Sequence, residues 1–301
     1  MKILIANKFF YPRGGDCIST INLYELLKSK GNEVAIFSMN YSENNSTEWD
    51  KYFAQEVSFS FGGIKGKLLA IKRIFGGAGV KKQFIKLLDD FQPDVIHLQN
   101  IHSYLSPILA KIAHKRNIKV IWTLHDYKLI CPAYSCLRNG KTCELCFKDK
   151  TQVIRKKCMK GSLIASVLAY AEIKYWNKKK LIKYTDTFIC PSQFMFNKMA
   201  ANKFPKEKLF VISNFIEQSK LILLEKYKHE NKKLSYCYVG RLSEEKGISE
   251  LLKTASKLPY TLFVAGTGPL FDSLKQQYES STIHFLGHIS SEEVVKLISS
   301  V

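Results

Sequence analysis

The stretch YVGRLSEEKG, residues 238–247, follows directly on Ser235-Tyr236-Cys237-Tyr238-Val239, a short apolar run that reads as a buried strand. Gly240 ends the strand, Arg241 and Lys246 flank a turn, and Gly247 opens a helix. Two cations at the carboxyl end of a strand, beside a helix N-terminus, predict a site for a phosphorylated ligand, because the helix end adds free N–H groups and partial positive charge. A guanidinium at 241 can grip two phosphate oxygens at once, and an ammonium at 246 adds a point charge. Charge spacing alone favours an ordinary solvated turn, so the surrounding sequence decides.

The chain has 301 residues, enough for about two domains. Lys and Arg together number 46 against 26 for Asp and Glu, a formal net charge of +20. Such a balance implies an anionic partner: nucleic acid, an acidic membrane surface or a phosphorylated substrate. No run reaches the roughly eighteen uncharged apolar residues of a membrane span. The opening MKILIANKFF is interrupted by Asn7 and Lys8, too early for a signal peptide, and reads as a first buried strand. A cytoplasmic protein is expected, whose eight cysteines are thiols or metal ligands and not disulfides.

Both halves alternate strand and helix patterns. Lys2–Ala6 predicts a parallel strand, followed by a loop ending Pro12-Arg13-Gly14-Gly15-Asp16. A helix with Ile18, Ile21, Leu23, Leu26 and Leu27 as its apolar set stops at Gly31, and Glu33–Met39 predicts a second strand. Gly14 and Gly15 would let backbone approach a ligand, although a tight turn explains the pair as well, since it is not a full GxGxxG. Asn40–Glu56 reads as loop. Gly62–Leu88 carries Lys65, Lys67, Lys72, Arg73, Lys81, Lys82 and Lys86 among apolar residues, with no acid. It predicts either a surface for an anionic membrane or a pair of surface helices broken at Gly76-Gly77. Strands are expected at Asp94–Gln99 and Ile118–Leu124, with a helix at Tyr104–Lys115 between them. His125, at the carboxyl end of the fourth strand in Thr123-Leu124-His125-Asp126, faces the ligand crevice of an open α/β sheet and is a site candidate. A histidine bonded to a neighbouring loop is the competing reading.

Cys131, Cys136, Cys143, Cys146 and Cys158 follow. Cys143 and Cys146 have metal-ligand spacing, and Cys131 with Cys136 gives a second pair. Thiolates so placed would close a structural zinc site stapling a long loop; an iron–sulfur centre and free thiols are the alternatives. Ser162–Tyr184 reads as one long helix, Asp186–Cys190 as a strand, Ser192–Ala201 as a helix and Leu209–Ile212 as a strand. Glu217–Lys233, charged and aperiodic, reads as an interdomain linker. The division expected is 1–216, including the cysteine-rich loop 131–158, then linker 217–233, then 234–301, where three further strand–helix repeats are expected.

Taken in order, MKILIANKFFYPRGGD, PDVIHLQN, TLHD, the cysteine-bearing loop, CPSQF, VISNFIE, VGRLSEEKG, FVAGTGPL and IHFLG resemble family 4 glycosyltransferases, which have the GT-B fold. The resemblance covers nearly the whole chain. It implies an α/β protein of two Rossmann-like parallel-sheet domains facing across a cleft, with the donor mostly on the second and the acceptor on the first. By position, Arg241 and Lys246 match the pair that neutralises the donor diphosphate. Gly14 and Gly15 match the loop near the phosphates, His125 matches a histidine beside the transferred sugar, and Ile289 matches a backbone contact to the base. No metal is then required for catalysis, and transfer usually retains configuration.

The family's pair of glutamates and its last strands and helices would fall beyond Val301. The second domain is therefore expected to be incomplete, with an exposed sheet edge and weak or no transfer. The function expected is movement of a sugar from a nucleotide diphosphate to a glycan or lipid-linked acceptor in surface polysaccharide synthesis, at the inner membrane face. Two alternatives stand: a nucleotide-sugar epimerase of the same fold, and a shortened chain that binds nucleotide without turnover. Nucleic acid ranks last among partners, because no recognised module for it appears.

Overall fold

The computed structural model describes residues 1–59, 63–227 and 234–301. The chain divides into two compact units: Met1–Phe215 without Asn139–Lys141, and Ile216–Val301 with Asn139–Lys141.

The first unit is organised by strands whose residues are apolar on both faces. β1 (Lys2–Ala6), β2 (Glu33–Phe37), β3 (Val95–Leu98), β4 (Lys119–Thr123), β7 (Thr187–Cys190) and β8 (Leu209–Val211) form a parallel sheet in the order β2-β1-β3-β4-β7-β8. Leu4, Ile5, Ala6, Ile36, Phe37, Ile96 and Trp122 are fully buried, as a parallel sheet covered by helices on both faces requires. The helices are α1 (Gly15–Ser29), α2 (Gly63–Ile74), α3 (Val80–Phe91), α4 (Ile108–Lys115), the short α5 (Leu145–Lys148) and α6 (Gln152–Arg155), α7 (Leu163–Tyr175), α8 (Lys178–Tyr184) and α9 (Gln193–Ala201). A two-stranded hairpin, β5 (Leu137–Arg138) and β6 (Lys141–Thr142), lies in the cysteine-rich loop. The strand order reverses between β1 and β3, and the crevice at such a switch point is where open α/β sheets bind ligands.

The structure corrects several sequence expectations. The long helix expected over 162–184 is two helices. Trp176 is buried with its indole N–H donating to the Ile74 carbonyl at 2.8 Å, and Asn177 caps α8 by accepting from the Lys180 amide. One buried aromatic and one strong N-cap thus redirect the chain. α4 starts at Ile108, four residues later than expected, because Ser103 and Ser106 adopt positive φ ahead of it. α1 buries Cys17, Thr20 and Tyr24; of the apolar set read from the sequence, Ile21, Leu23 and Leu27 pack partly buried against the core, whereas Ile18 and Leu26 are exposed.

The basic stretch splits as well (its first residue, Gly62, lies outside the described residues). α3 buries Val80, Phe84, Leu87, Leu88 and Phe91. Arg73, read as surface charge, is fully buried and donates to the carbonyls of Tyr104, Gln55 and Ala78 at 2.8–3.0 Å. Burial pushes this guanidinium down to about 10. The lysines stay exposed on both helices, Lys81, Lys82 and Lys86 on α3 and Lys65, Lys67 and Lys72 on α2, where Ile64, Leu68 and Leu69 are exposed among them.

The second unit is a parallel sheet in the order β11-β10-β9, from β9 (Ser235–Val239), β10 (Thr261–Ala265) and β11 (Ile283–Gly287). Its helices are α10 (Gln218–Lys226), α11 (Ile248–Ala255), α12 (Phe271–Tyr278) and α13 (Ser291–Ser300). Leu242, Ile248, Leu252, Leu262, Val264, Ile283 and Phe285 form its core. The segment read as an aperiodic linker is helical over Gln218–Lys226, and Tyr227 donates to Glu292 on α13 at 2.8 Å. Residues 228–233 of that segment lie outside the described residues. The sequence concealed this helix because its apolar residues, Leu221-Ile222-Leu223-Leu224, form one unbroken run between Lys220 and Glu225 and show no helical period.

Candidate functional site

In the first unit the candidate residues gather at the carboxyl ends of β1, β3 and β4, around the switch point. Each strand runs out of regular pairing into a polar side chain. After β1, Asn7 donates from its backbone to Phe37 and accepts through Oδ1 from the Asn100 amide at 3.0 Å. After β3, the Gln99 amide donates to the Ala6 carbonyl at 2.9 Å, and the Gln99 carbonyl accepts from the Trp122 indole at 3.0 Å. Asn100 Nδ2 donates to Asp16 Oδ2 in the first turn of α1. After β4, His125 Nε2 meets Gln99 Oε1 at 2.7 Å.

His125 is therefore brought to the crevice, and its bond runs to Gln99 on the neighbouring strand end. The sequence left Gln99 unmarked; its place one residue past a buried strand was the signal. Gly14 is extended and Gly15 starts α1. A Cβ at Gly15 would meet nothing within 4 Å, so open space borders the loop where the sequence expected backbone to approach a ligand.

Burial is the largest influence on the titrating groups here. Burial pushes His97 down to about 4, helped by the neighbouring His125. Burial also lowers His102, with Lys128 and Lys8 adding to the effect, and lowers His125, where Asp16 opposes and Lys8 assists. Asp126 moves the other way, burial raising it against the hydrogen bond from the Lys128 amide.

Acid sensitivity follows. A histidine held neutral in the fold binds its proton only in the unfolded chain as pH drops below about 6.5, so stability is present above that value and is lost on acidification. Asp126, whose folded pKa is raised, offsets part of the loss. Between pH 6.5 and 4.5 three histidines outweigh that one carboxyl, and each contributes a slope of up to ~1.4 kcal/mol per pH unit. All three tryptophans, Trp49, Trp122 and Trp176, lie in this unit, so denaturation followed by indole fluorescence reads it selectively. The midpoint is expected to fall across this window and to fall less in His97→Gln. A midpoint independent of pH would contradict the neutral-histidine assignment.

In the second unit, Arg241 and Lys246 are both exposed, on the loop between β9 and α11. The loop is fixed by backbone bonds: Gly240 donates to Ala265, Leu242 to Thr267, and Leu270 to Leu242. Leu242 is fully buried, and the Tyr238 hydroxyl donates to the Arg241 carbonyl at 2.9 Å. Residues 244–246 form a 3-10 turn, and Gly247 takes a left-handed conformation at φ +66° to start α11. The cations are thus displayed from a rigid loop at a strand's carboxyl end. Glu245 lies between them, held below the usual range first by the Ser243 hydroxyl and further by Arg241 and Lys246. Ile289, half-buried, sits between β11 and Ser290, which caps α13 in a reciprocal box with Glu293.

The cysteine loop forms its own small core, with Cys131, Cys136 and Cys146 packed on Val153 and Ala169. Cys131 shares hydrogen bonds with Cys136 and Cys146, which favours ionisation at Cys131 and disfavours it at the other two. Cys143 reaches this group through its backbone amide, which donates to the Cys136 carbonyl at 2.7 Å. Among the described residues, no group of three or more His, Cys, Asp or Glu is arranged to hold a metal ion. No helix among them is long and apolar enough to cross a membrane.

The sequence profile of Glycosyltransferase Family 4 matches residues 14–220, and that of glycosyl transferases group 1 matches residues 220–301. An uncharacterized 42.6 kDa protein in the cps region of Klebsiella pneumoniae is 25% identical over 318 residues, spanning 100% of this chain and 78% of that protein. Among solved structures, sucrose-phosphate synthase from Thermosynechococcus elongatus superposes with a TM-score of 0.61 at 15% identity, covering 100% of this chain and 73% of that one. Anabaena Alr3699/HepE in complex with UDP and glucose gives 0.54 at 15%, covering 99% and 71%. These likenesses show the fold, that of GT-B glycosyltransferases, and the profile match over more than half of the sequence shows the family. The chain belongs to glycosyltransferase family 4 and is a transferase enzyme.

Proposed function

We propose that the protein transfers a sugar from a nucleoside diphosphate sugar to a glycan or lipid-linked glycan acceptor in surface polysaccharide synthesis, with retention of configuration. The observation that carries this reading is the loop of Arg241 and Lys246, two exposed cations fixed at the carboxyl end of β9 within the part matched by glycosyl transferases group 1. Facing a diphosphate, Arg241 would bind two oxygens and Lys246 would add charge, stabilising the nucleotide as it leaves. Gly14 and Gly15 would leave room beside the phosphates, His125 would lie near the transferred sugar, and the Ile289 backbone would meet the base.

The relative in a cps region and the neighbour crystallised with UDP support the choice of glycan pathway and donor class. The exposed lysine-rich face of α2 supports an acceptor presented at an anionic membrane surface. Catalysis itself is assigned to cationic side chains.

Thermal shift against UDP, GDP, ADP and their common sugars tests the donor site. A ligand at 100 times its Kd is expected to stabilise the fold by about 2.7 kcal/mol. Losing a charge-assisted contact in Arg241→Ala or Lys246→Ala costs about 1.5–3 kcal/mol, so affinity is expected to drop roughly 10- to 100-fold. No shift with any nucleotide, on folded protein, would overturn the reading.

A further inference from the structure

We propose that Gln99 is a positioning residue that fixes His125 as the Nε2–H tautomer, leaving Nδ1 as the lone-pair acceptor; this rests on His125 serving the transferase site. The geometry is built to hold one orientation. Gln99 is 2% exposed. Its backbone is pinned at both ends, the amide to Ala6 on β1 and the carbonyl to the indole of Trp122 on β4. Its side chain then has little freedom, and Oε1 meets His125 Nε2 at 2.7 Å. His125 is itself anchored: the amide of Leu124 donates to Ile189 at 2.9 Å on the far side of β4.

An acceptor oxygen opposite Nε2 selects the ring form that carries its proton there, as the partner of one histidine nitrogen sets the state of the other. Burial lowers the affinity of the ring for a second proton, so the neutral form is the working one at neutral pH. A neutral ring with a free Nδ1 accepts a hydrogen bond from a hydroxyl, which is the group a sugar offers. The Gln99 Nε2 atom is buried with no partner, an uncompensated cost.

Nitrogen-detected proton correlation spectra of histidine-labelled protein test this in the free state, with His125→Asn identifying the resonance. The wild type is expected to show the Nε2–H pattern at His125. Gln99→Leu is expected to give a mixture of both tautomers. Gln99→Glu keeps the acceptor, so it is expected to keep the tautomer while raising the titration midpoint by roughly 1–3 pH units, because a carboxylate favours the charged ring. An Nδ1–H pattern in the wild type, or a Gln99→Leu spectrum and titration unchanged at His125, would overturn the proposal. If Gln99→Leu does not fold, the Gln99→Glu titration decides, and an unmoved midpoint is the contrary result. None of these readouts needs a nucleotide. Failure of the donor-binding screen and failure of this assignment are therefore separate results.

Discussion

Gly266→Ala is expected to unfold the second unit while leaving the first intact. Gly266 sits just after β10 at φ +130°, a conformation that side chains rarely adopt. A Cβ built there would lie 1.9 Å from the Gly240 carbonyl oxygen and 2.9 Å from its carbon. Both neighbours are backbone, so no side chain can rotate away. Relief requires moving the end of β9, which would break the bonds from Gly240 to Ala265 and from Leu242 to Thr267. Backbone strain of this kind costs about 1–3 kcal/mol, and the lost ladder adds more, so a total above roughly 4 kcal/mol is expected. A sheet of three strands with a small core has little reserve against that loss.

The same movement would displace Arg241, so nucleotide binding is expected to vanish with the fold. Hydrogen exchange resolves the two units: amides of β9–β11 should lose protection, while those of β1, β3 and β4 keep it and tryptophan fluorescence stays native. Gly15→Ala is the control. Its Cβ meets open space and its φ is not positive, so the melting temperature should be unchanged. A Gly266→Ala protein with native exchange would show that the β9–β10 approach is not needed.

Glu172→Ala is expected to cost the first unit about 3–5 kcal/mol, because it leaves a buried ammonium without its counter-charge. Lys128 Nζ lies 2.9 Å from Glu172 Oε2, with the two side chains 8% and 5% exposed. Glu172 also accepts from the amide and hydroxyl of Ser103, and Lys128 donates to the Pro132 carbonyl. The pair ties α7 to the loop that follows β4, three residues beyond His125. Denaturant unfolding read by tryptophan fluorescence measures the loss. The double replacement Glu172→Leu with Lys128→Met should recover most of it, since an apolar pair of similar volume can substitute for a buried ion pair. Equal losses in the single and double variants would mean that shape, and not charge, sets the cost.

The strands, their parallel sense and the cationic turn were legible because each is local. Lys2–Ala6, Val95–Leu98 and Ser235–Val239 are apolar runs, and Gly240-Arg241 and Gly247 mark where the second unit turns. His125 could be placed at a strand end for the same reason. Family resemblance added roles to these positions but no geometry. What remained hidden depends on contacts between segments far apart in sequence. Arg73 looks like any surface cation until the carbonyls of Gln55 and Tyr104, 18 and 31 residues away, close on it together with that of nearby Ala78. Trp176 breaks a helix only because the Ile74 carbonyl awaits its indole.

Gln99 shows the division most plainly. In sequence it is the polar last residue of an expected strand, and only the β1-β3-β4 neighbourhood puts its oxygen on His125. By itself the sequence determined the alternation of strands and helices, the two units and the place of the cations Arg241 and Lys246 at a strand end, because periodicity and turn chemistry are written along the chain. Tertiary structure alone decided which polar groups are buried and paired, because burial is set by what folds over a residue, and that partner lies 26 residues away for His125 and 44 for Lys128.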